Sequence, residues 1–341
     1  VKFTAKQEEA QSHLAGPATH GMLFGGSRSG KTFLHVRNTV FRGLKAPGSR
    51  HGIFRFRYNH LKASIILDTF PKVMRLAFPG VPWDMHAQDG YASLPGDSQV
   101  WFAGLDDKDR TEKILGMEFA TLYFNECSQI PYGSVATALT RMAQRVEMKV
   151  EGLAPTLLKP RAFYDCNPPP KSHWTYKLFI EGRDPETKRP LPQADDYAAF
   201  QINPRDNVEN LSPEYIRTLE GLPARMRARF LEGRFADANP NALFPEENID
   251  KWRVLDGVIP DMVRMVIAID PSGAGDIDNA DNDEIGIIAA GLGTDGNAYL
   301  LEDCTVKAGP ATWGRVATSA YDRHQADCVV GETNFGGAMV Q

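Results

Sequence analysis

Short apolar blocks, each closed by polar residues, recur along this chain and alternate with segments that carry apolar residues at helical spacing. Phe3–Leu14 reads as a polar helix. Met22, Leu23 and Phe24 form a short apolar run ahead of a glycine-rich stretch, and Phe33–Leu44 behind it has helical spacing. His51–Tyr58 (HGIFRFRY) alternates apolar and basic residues as a half-buried strand does. Leu61–Phe70 is a predicted helix that stops before Pro71. Gln99–Leu105 (QVWFAGL), Phe119–Glu126 (FATLYFNE), Arg161–Asn167 (RAFYDCN) and Asp196–Ile202 (DYAAFQI) read as further strands. Strands separated by helical segments predict an α/β fold with a mostly parallel sheet.

The last part of the chain has a different rhythm. Met262–Asp270 (MVRMVIAID), Ile285–Leu292 and Ala298–Asp303 are three apolar strands, the last two joined by a turn at Thr294–Asn297, and they predict an antiparallel meander. Trp313–His324 is helical in pattern, and Ala326–Glu332 (ADCVVGE) is a further strand. With 341 residues the chain has room for about two domains. Between the two regions, Asn203–Phe235 opens a helix with Ser212 followed by Pro213. This stretch concentrates Arg225, Arg227, Arg229 and Arg234 in an otherwise acidic protein, as a solvated helix face or as a contact for DNA or a neighbouring subunit.

Composition narrows the functional classes. The formal net charge of −5 gives no global attraction to nucleic acid, so any such contact is local. The cysteines at 127, 166, 304 and 328 form no C-x-x-C pair and read as free thiols rather than disulfides or zinc ligands. No apolar run approaches the roughly 18 residues of a membrane span, so no membrane association is expected. The opening VKFTAKQEEAQ is polar and does not read as a signal peptide.

The chemistry concentrates in GMLFGGSRSGKT, where Gly25 is followed after four residues by Gly30, Lys31 and Thr32. This is the spelling of a phosphate-binding loop. Gly25, Gly26, Ser27, Arg28, Ser29 and Gly30 offer backbone N–H groups, Lys31 can reach the outer phosphates of ATP, and Thr32 can place its hydroxyl on Mg2+. A helix leaving the loop adds free N–H donors and a favourable dipole. FATLYFNE ends in Asn125 and Glu126, where an ATPase of this kind usually carries Asp then Glu. Asn125 keeps an oxygen for a metal-held water but gives up the charge, and Glu126 reads as the general base. Asn167, before three prolines, is placed beside the γ-phosphate or simply in an Asn-Pro turn. Gln7, just upstream of the loop, can pair with adenine or lie on a solvated surface.

FTAKQ, GGSRSGKT, LYFNE and CNPPP, in this order, resemble the large terminase subunit of tailed bacteriophages, an ATP-driven DNA-packaging motor. The resemblance implies a P-loop ATPase domain over 1–202, a linker subdomain over 203–258 and, over 259–341, the first part of a ribonuclease H-like nuclease domain. It implies Gln7 at adenine, Lys31 and Thr32 on phosphate and magnesium, Glu126 as base, and Asn167 in the segment coupling hydrolysis to movement. Arg28 matches a position that stabilises charge on the transferred phosphoryl group. A trans arginine is a further family feature, with Arg110, Arg141 and Arg145 as candidates. Asp270 and Glu332, at the ends of adjacent strands, have the chemistry of a two-metal nuclease using Mg2+ or Mn2+, and match metal positions of the family.

The acidic loop carrying Asp276, Asp278, Asp281 and Asp283 lacks the Gly and Glu of a calcium-binding EF-hand; Asp283 could support a metal or lie in a solvated loop. The resemblance implies further structure and a third acidic residue past Gln341, so the nuclease site is expected to be incomplete in this chain. Implied partners are double-stranded DNA, the portal protein, the small terminase subunit and further copies of the chain. The implied location is the host cytoplasm, at the portal vertex of the procapsid. The rival readings are a helicase-like ATPase whose second domain only clamps nucleic acid, and a non-hydrolysing, ATP-gated structural module.

Overall fold

The structure is a computed structural model and describes residues 2–106, 116–149, 152, 154–235, 244, 246–254, 259–270 and 284–331. The chain divides into two compact units, Val1–Asp250 and Lys251–Gln341. Asn203–Phe235, the connector, falls within the first of these units.

The first unit opens with helix α1 (Ala5–Ala15), whose start is fixed by a reciprocal capping box between Thr4 and Gln7. Strand β1 (His20–Phe24) runs into the glycine-rich loop, and helix α2 (Lys31–Lys45) leaves it. Then follow β2 (Arg50–Arg55), β3 (Asp84–His86), β4 (Tyr91–Leu94), β5 (Ser98–Gly104) and β6 (Thr121–Phe124). A small ribbon, β7 (Glu147–Met148) and β8 (Thr156–Leu157), precedes β9 (Arg161–Cys166) and β10 (Tyr197–Gln201). Eight strands form one sheet in the order β10-β1-β9-β6-β2-β5-β4-β3. The strands from β10 to β5 are parallel, and β4 and β3 continue the sheet antiparallel at one edge. The mostly parallel α/β architecture expected from the alternating pattern is the one observed.

Successive residues of a strand face opposite sides of a sheet, and the central strands here are apolar on both. Leu23, Ile53, Tyr123 and Phe163 enter the core beneath α1 and α2. Their neighbours Met22, Phe54, Phe124 and Tyr164 enter the core on the other face, with Trp174 and Phe179. Two expectations are corrected. The stretch expected to be a half-buried strand over 51–58 is a central strand, buried on both faces between β6 and β5; Arg55 is its last residue and Arg57 lies beyond it. The helix expected to stop before Pro71 instead continues through a wide-turned segment, Lys62–Thr69, into Phe70–Ala77. Pro71 stands at the junction, where the wider turns of the preceding segment accommodate its ring and its missing N–H.

The interleaving of β9 between β1 and β6 decides where the chemistry gathers. In a parallel sheet neighbouring carboxyl ends emerge side by side, and ligands bind in the crevice outside them. Register aligns Phe24 with Cys166 and Phe124 with Tyr164, so the residues after β1, β9 and β6 converge.

In the second unit, β11 (Met262–Asp270), β12 (Gly286–Gly293), β13 (Ala298–Asp303) and β14 (Cys328–Gly331) form a sheet ordered β13-β12-β11-β14. The first three strands are the expected antiparallel meander, and β14 joins β11 in parallel. The helix Pro310–His324 seats Trp313, Ala317 and Ala320 against Ile267, Ile287 and Ala289.

One buried group makes the first unit sensitive to acid. His35 of α2 is fully enclosed and stacks on Tyr123 at 4.6 Å between ring centroids. Burial pushes its imidazole pKa down to about 4. Between the unfolded value near 6.5 and the folded one, the unfolded chain takes up a proton that the folded chain refuses. Stability is therefore complete above pH 6.5 and falls as the pH drops toward 4, by about 3 kcal/mol from this residue. In urea titrations, His35→Leu should reduce the loss of unfolding free energy between pH 7 and pH 4 by about that amount; an unchanged loss would remove His35 from this role.

Candidate functional site

The converging strand ends form the wall of a cavity of about 590 Å³, roofed by the glycine-rich loop and α2. That volume is of the size that holds a small-molecule cofactor. Ser27–Thr32, Asn125, Glu126, Asp165 and Asn167 all line it.

The loop needs its glycines for separate reasons. Gly25 has φ 139°, a conformation L side chains rarely adopt, and a Cβ there would stand 2.1 Å from the Ile202 carbonyl. At Gly26 a Cβ would meet the Phe230 carbonyl oxygen at 2.3 Å. Both clashes are with the segment that follows β10, which is packed directly on the loop. Asn203 Oδ1 accepts from Gly26 N (2.9 Å), the Phe230 carbonyl accepts from Ser27 N (2.8 Å), and Asn207 Nδ2 donates to the Arg28 carbonyl (2.8 Å). Three loop residues are thus held by the connector, which the family resemblance assigns to a linker subdomain. Arg28 has φ 59°, and its residue is exposed at the cavity.

Lys31 is almost entirely buried. Its ammonium donates to the carbonyls of Gly25 (3.0 Å) and Gly26 (2.6 Å), to Ser29 Oγ (3.2 Å) and to Asn167 Oδ1 (3.3 Å). Burial lowers its pKa, opposed by the negative charges of Asp165 and Glu126. All four partners are neutral oxygens, an arrangement that an incoming phosphate would outbid by charge.

Gln7 lines the cavity, but its amide is already engaged at both ends. The oxygen accepts from Thr4 N (3.2 Å), and the nitrogen donates to Asn207 Oδ1 (2.8 Å) and the Ser29 carbonyl (3.4 Å). In this arrangement Gln7 ties α1 to the loop and the connector, and a purine edge would have to exchange with those bonds.

Glu126 follows β6 with φ 47°, a left-handed conformation costing a non-glycine residue about 1 kcal/mol or more. Its backbone N–H donates to Asp165 Oδ1 (2.8 Å), and its carboxylate accepts from Arg55 Nη2 (2.5 Å) and Gln129 Nε2 (3.0 Å). Asn125 is buried. Its Nδ2 donates to the Tyr123 hydroxyl (3.0 Å) and to Asp165 Oδ1 (3.1 Å), while its Oδ1 has no hydrogen-bond partner among the described residues. Thr32 Oγ1 donates to Asp165 Oδ2 (3.0 Å). The Thr32 hydroxyl, the orphaned Asn125 oxygen and the Asp165 carboxylate form the oxygen-only donor set that suits magnesium. The residues present fit that ion.

The loop, Asn125, Glu126 and Asn167, singled out in the sequence, come together around one cavity. Sequence reading misses Asp165, Arg55, Asn203 and Asn207. The signal for Asp165 was a carboxylate inside an otherwise apolar strand, RAFYDCN; the asparagines of the connector leave no comparable mark. Of the trans-arginine candidates, Arg110 lies outside the described residues, and Arg141 and Arg145 do not line the cavity. The basic connector is partly neutralised from within, since Glu232 pairs with Arg234 at 2.5 Å and approaches Arg227 at 3.7 Å. Asp270 is the exposed last residue of β11, and Ile269 pairs with Gly331 of β14. Glu332 and the acidic loop over 276–283 lie outside the described residues. Among the described residues there is no group of three or more His, Cys, Asp or Glu able to hold a metal.

A family model described as the N-terminal part of the terminase large subunit, T4likevirus-type, matches residues 22–251, more than half of the chain. The chain belongs to the terminase large subunit family. The match ends where the first compact unit ends, at Asp250 and Lys251. Among solved structures, the large terminase of a thermophilic bacteriophage aligns with a TM-score of 0.56 at 15% identity, covering 100% of this chain and 79% of that one. A second structure of that phage terminase, in complex with ADP, gives 0.55 at 15% identity over 99% of this chain and 79% of that one. The large terminase of bacteriophage HK97 gives 0.52 at 10% identity, covering 97% and 70%. At such identities the likeness shows a shared fold. No curated protein matches at a significant level.

The clamp on the loop is open to test. Asn203→Ala removes the acceptor for Gly26 N and half of the capping box that Asn203 forms with Asp206. Unfolding free energy should fall by about 1–3 kcal/mol, and limited proteolysis should find cleavage within 203–235 sooner than in the parent protein. Unchanged stability and cleavage would mean that the clamp is incidental.

Proposed function

We propose that this terminase subunit binds and hydrolyses ATP in the cavity above β1, β9 and β6, and that hydrolysis drives double-stranded DNA into a procapsid. The observation that carries the reading is the convergence of Lys31, Thr32, Asn125, Glu126 and Asn167 on one cavity beneath a phosphate-loop helix. The thermophilic-phage terminase bound to ADP is consistent with it.

In this reading the triphosphate lies along the loop N–H groups and the N-terminus of α2. Lys31 exchanges its carbonyl partners for phosphate oxygens, and Arg28 turns from the cavity mouth toward the charge that develops on the transferred group. Thr32 and Asn125 would hold Mg2+ and its water shell, and the ion would supply positive charge against the phosphates. A water attacks the γ-phosphorus, Glu126 accepts its proton, and the bond to the ADP oxygen breaks, leaving ADP and inorganic phosphate. Arg55 and Gln129 both engage Oε2 of Glu126, so the proton is accepted at Oε1. Asn167, bonded to Lys31, is placed to feel the loss of the γ-phosphate and to pass that change to the prolines after β9. Gln7 reads the adenine only after giving up its bonds to the loop and connector.

The second unit is read as the first part of a ribonuclease H-like nuclease that cuts concatemeric DNA. Its support is the meander-helix-strand order, with Asp270 ending β11 and β14 parallel beside it. Asp270 and Glu332, the residue after Gly331 in sequence, would hold Mg2+ or Mn2+. The portal protein, the small terminase subunit, further copies of this chain and the procapsid vertex in the host cytoplasm complete the proposed setting. Among the described residues no helix is long and apolar enough to cross a membrane.

Glu126→Gln should retain ATP binding and lower turnover by about 10²–10⁴-fold, measured as phosphate release with DNA and partner subunits present. Turnover near the parent rate would remove Glu126 from the base role. In the full-length protein, Asp270→Ala should abolish Mn2+-dependent nicking of DNA and leave phosphate release unchanged. Persisting cleavage would remove Asp270 from the nuclease site.

A further inference from the structure

We propose that Asp165 is the carboxylate through which this chain holds the metal ion that accompanies the nucleotide, in place of the acid that position 125 lacks. The inference rests on the nucleotide reading of the cavity. It concerns a residue one strand away from the position where such an acid is expected.

Four observations lead to it. Asp165 is 2% exposed, and its oxygens accept from Thr32 Oγ1, Asn125 Nδ2 and the Glu126 backbone N–H. All three donors are neutral; the Lys31 ammonium feels its charge, but among the described residues no lysine or arginine forms an ion pair with it. A carboxylate taken from water with only neutral partners is held at a cost that a nearby cation relieves. Second, its Oδ2 is 3.0 Å from the Thr32 hydroxyl, the loop group whose chemistry suits Mg2+. Third, Asn125 is itself 2% exposed, lines the cavity and carries an amide oxygen with no partner, while its amide nitrogen is spent on Asp165. The hydrogen bond fixes which way the amide points and leaves a neutral oxygen for a metal-held water. Fourth, β9 lies between β1 and β6. A side chain near its carboxyl end therefore reaches the same point as one at the end of β6, from the adjoining strand.

The consequence is an exchange of charge between neighbouring strands. An aspartate at the end of β6 together with Asp165 would set two carboxylates within about 3 Å of each other in a buried place, where one would have to stay protonated. With Asn125 the pair carries one negative charge, and that charge sits on β9. Asp165 also holds the N–H of Glu126, so the metal side of the site and the backbone of the proposed base share one side chain.

The test reads metal-dependent nucleotide affinity rather than turnover. ATPγS binding to the full chain is measured by calorimetry with EDTA and again with saturating Mg2+, for the parent protein, Asp165→Asn, and the exchange variant Asn125→Asp/Asp165→Asn. The parent should bind in both conditions, and more tightly with Mg2+. Asp165→Asn should keep its affinity in EDTA and lose about 10–100-fold of the gain from Mg2+. The exchange variant, which restores one aspartate and one asparagine, should recover that gain. A carboxylate that only braces the end of β6 would shift both affinities together, and an Asp165→Asn protein with the parent's Mg2+ gain overturns the proposal. Should Asp165→Asn not fold, the exchange variant decides: the parent's gain supports the proposal, and a folded exchange variant without it overturns it. A parent protein that binds ATPγS in neither condition overturns the nucleotide reading itself, and this inference with it.

Discussion

Strand order is the constraint on which the rest depends. By lying between β1 and β6, β9 brings the ends of three parallel strands to one point, and everything chemical in the first unit is arranged around it. The loop after β1 supplies Lys31 and Thr32, β6 leads into Asn125 and Glu126, and β9 brings Asp165 and, just beyond it, Asn167. Both faces of these strands are apolar, so a slip of one residue would turn every side chain to the opposite core. The packing of Leu23, Ile53 and Phe163 on one side, and of Met22, Phe54 and Tyr164 on the other, therefore sets the positions of the polar residues at the strand ends.

A second dependence runs from the connector to the loop. Phosphate loops are usually described as backbone N–H groups waiting for an anion, yet here Gly26 and Ser27 already donate to Asn203 and to the Phe230 carbonyl. Asn207 and Gln7 complete the attachment through the Arg28 and Ser29 carbonyls. The loop is thus a junction between α1, the sheet and the connector, and any change in its hydrogen bonding is felt by all three. This supplies a short path between the cavity and the connector: the loop lines the cavity on one side and is held by the connector on the other.

Much of the first unit could be read from local pattern, because both the glycine-rich loop and the apolar strands are written in contiguous residues. GGSRSGKT, LYFNE and the strand before CNPPP each carry their own signal. What could not be read depends on contacts between distant segments. Asn203 and Asn207 touch the loop across some 180 positions, such as the 177 between Gly26 and Asn203, and an asparagine in a polar stretch carries no mark of that. The expected half-buried strand over 51–58 failed because Arg55 and Arg57 imitate an alternating face although they lie at and beyond the strand's end. Pro71 misled because the preceding segment widens its turns and restarts the helix around it. Asp165 was visible as a residue but not as a neighbour, since its meaning depends on β9 adjoining β6 rather than on spacing along the chain.

In the proposed function one loop joins nucleotide to connector. Amide hydrogen exchange, with and without Mg2+ and ATPγS, tests it most directly. Binding should slow exchange across 25–33 and alter exchange at 203–207 and 230–233, where the connector grips the loop. Nucleotide-dependent protection that leaves the loop unchanged, or protection of the loop with no response in the connector, would contradict it.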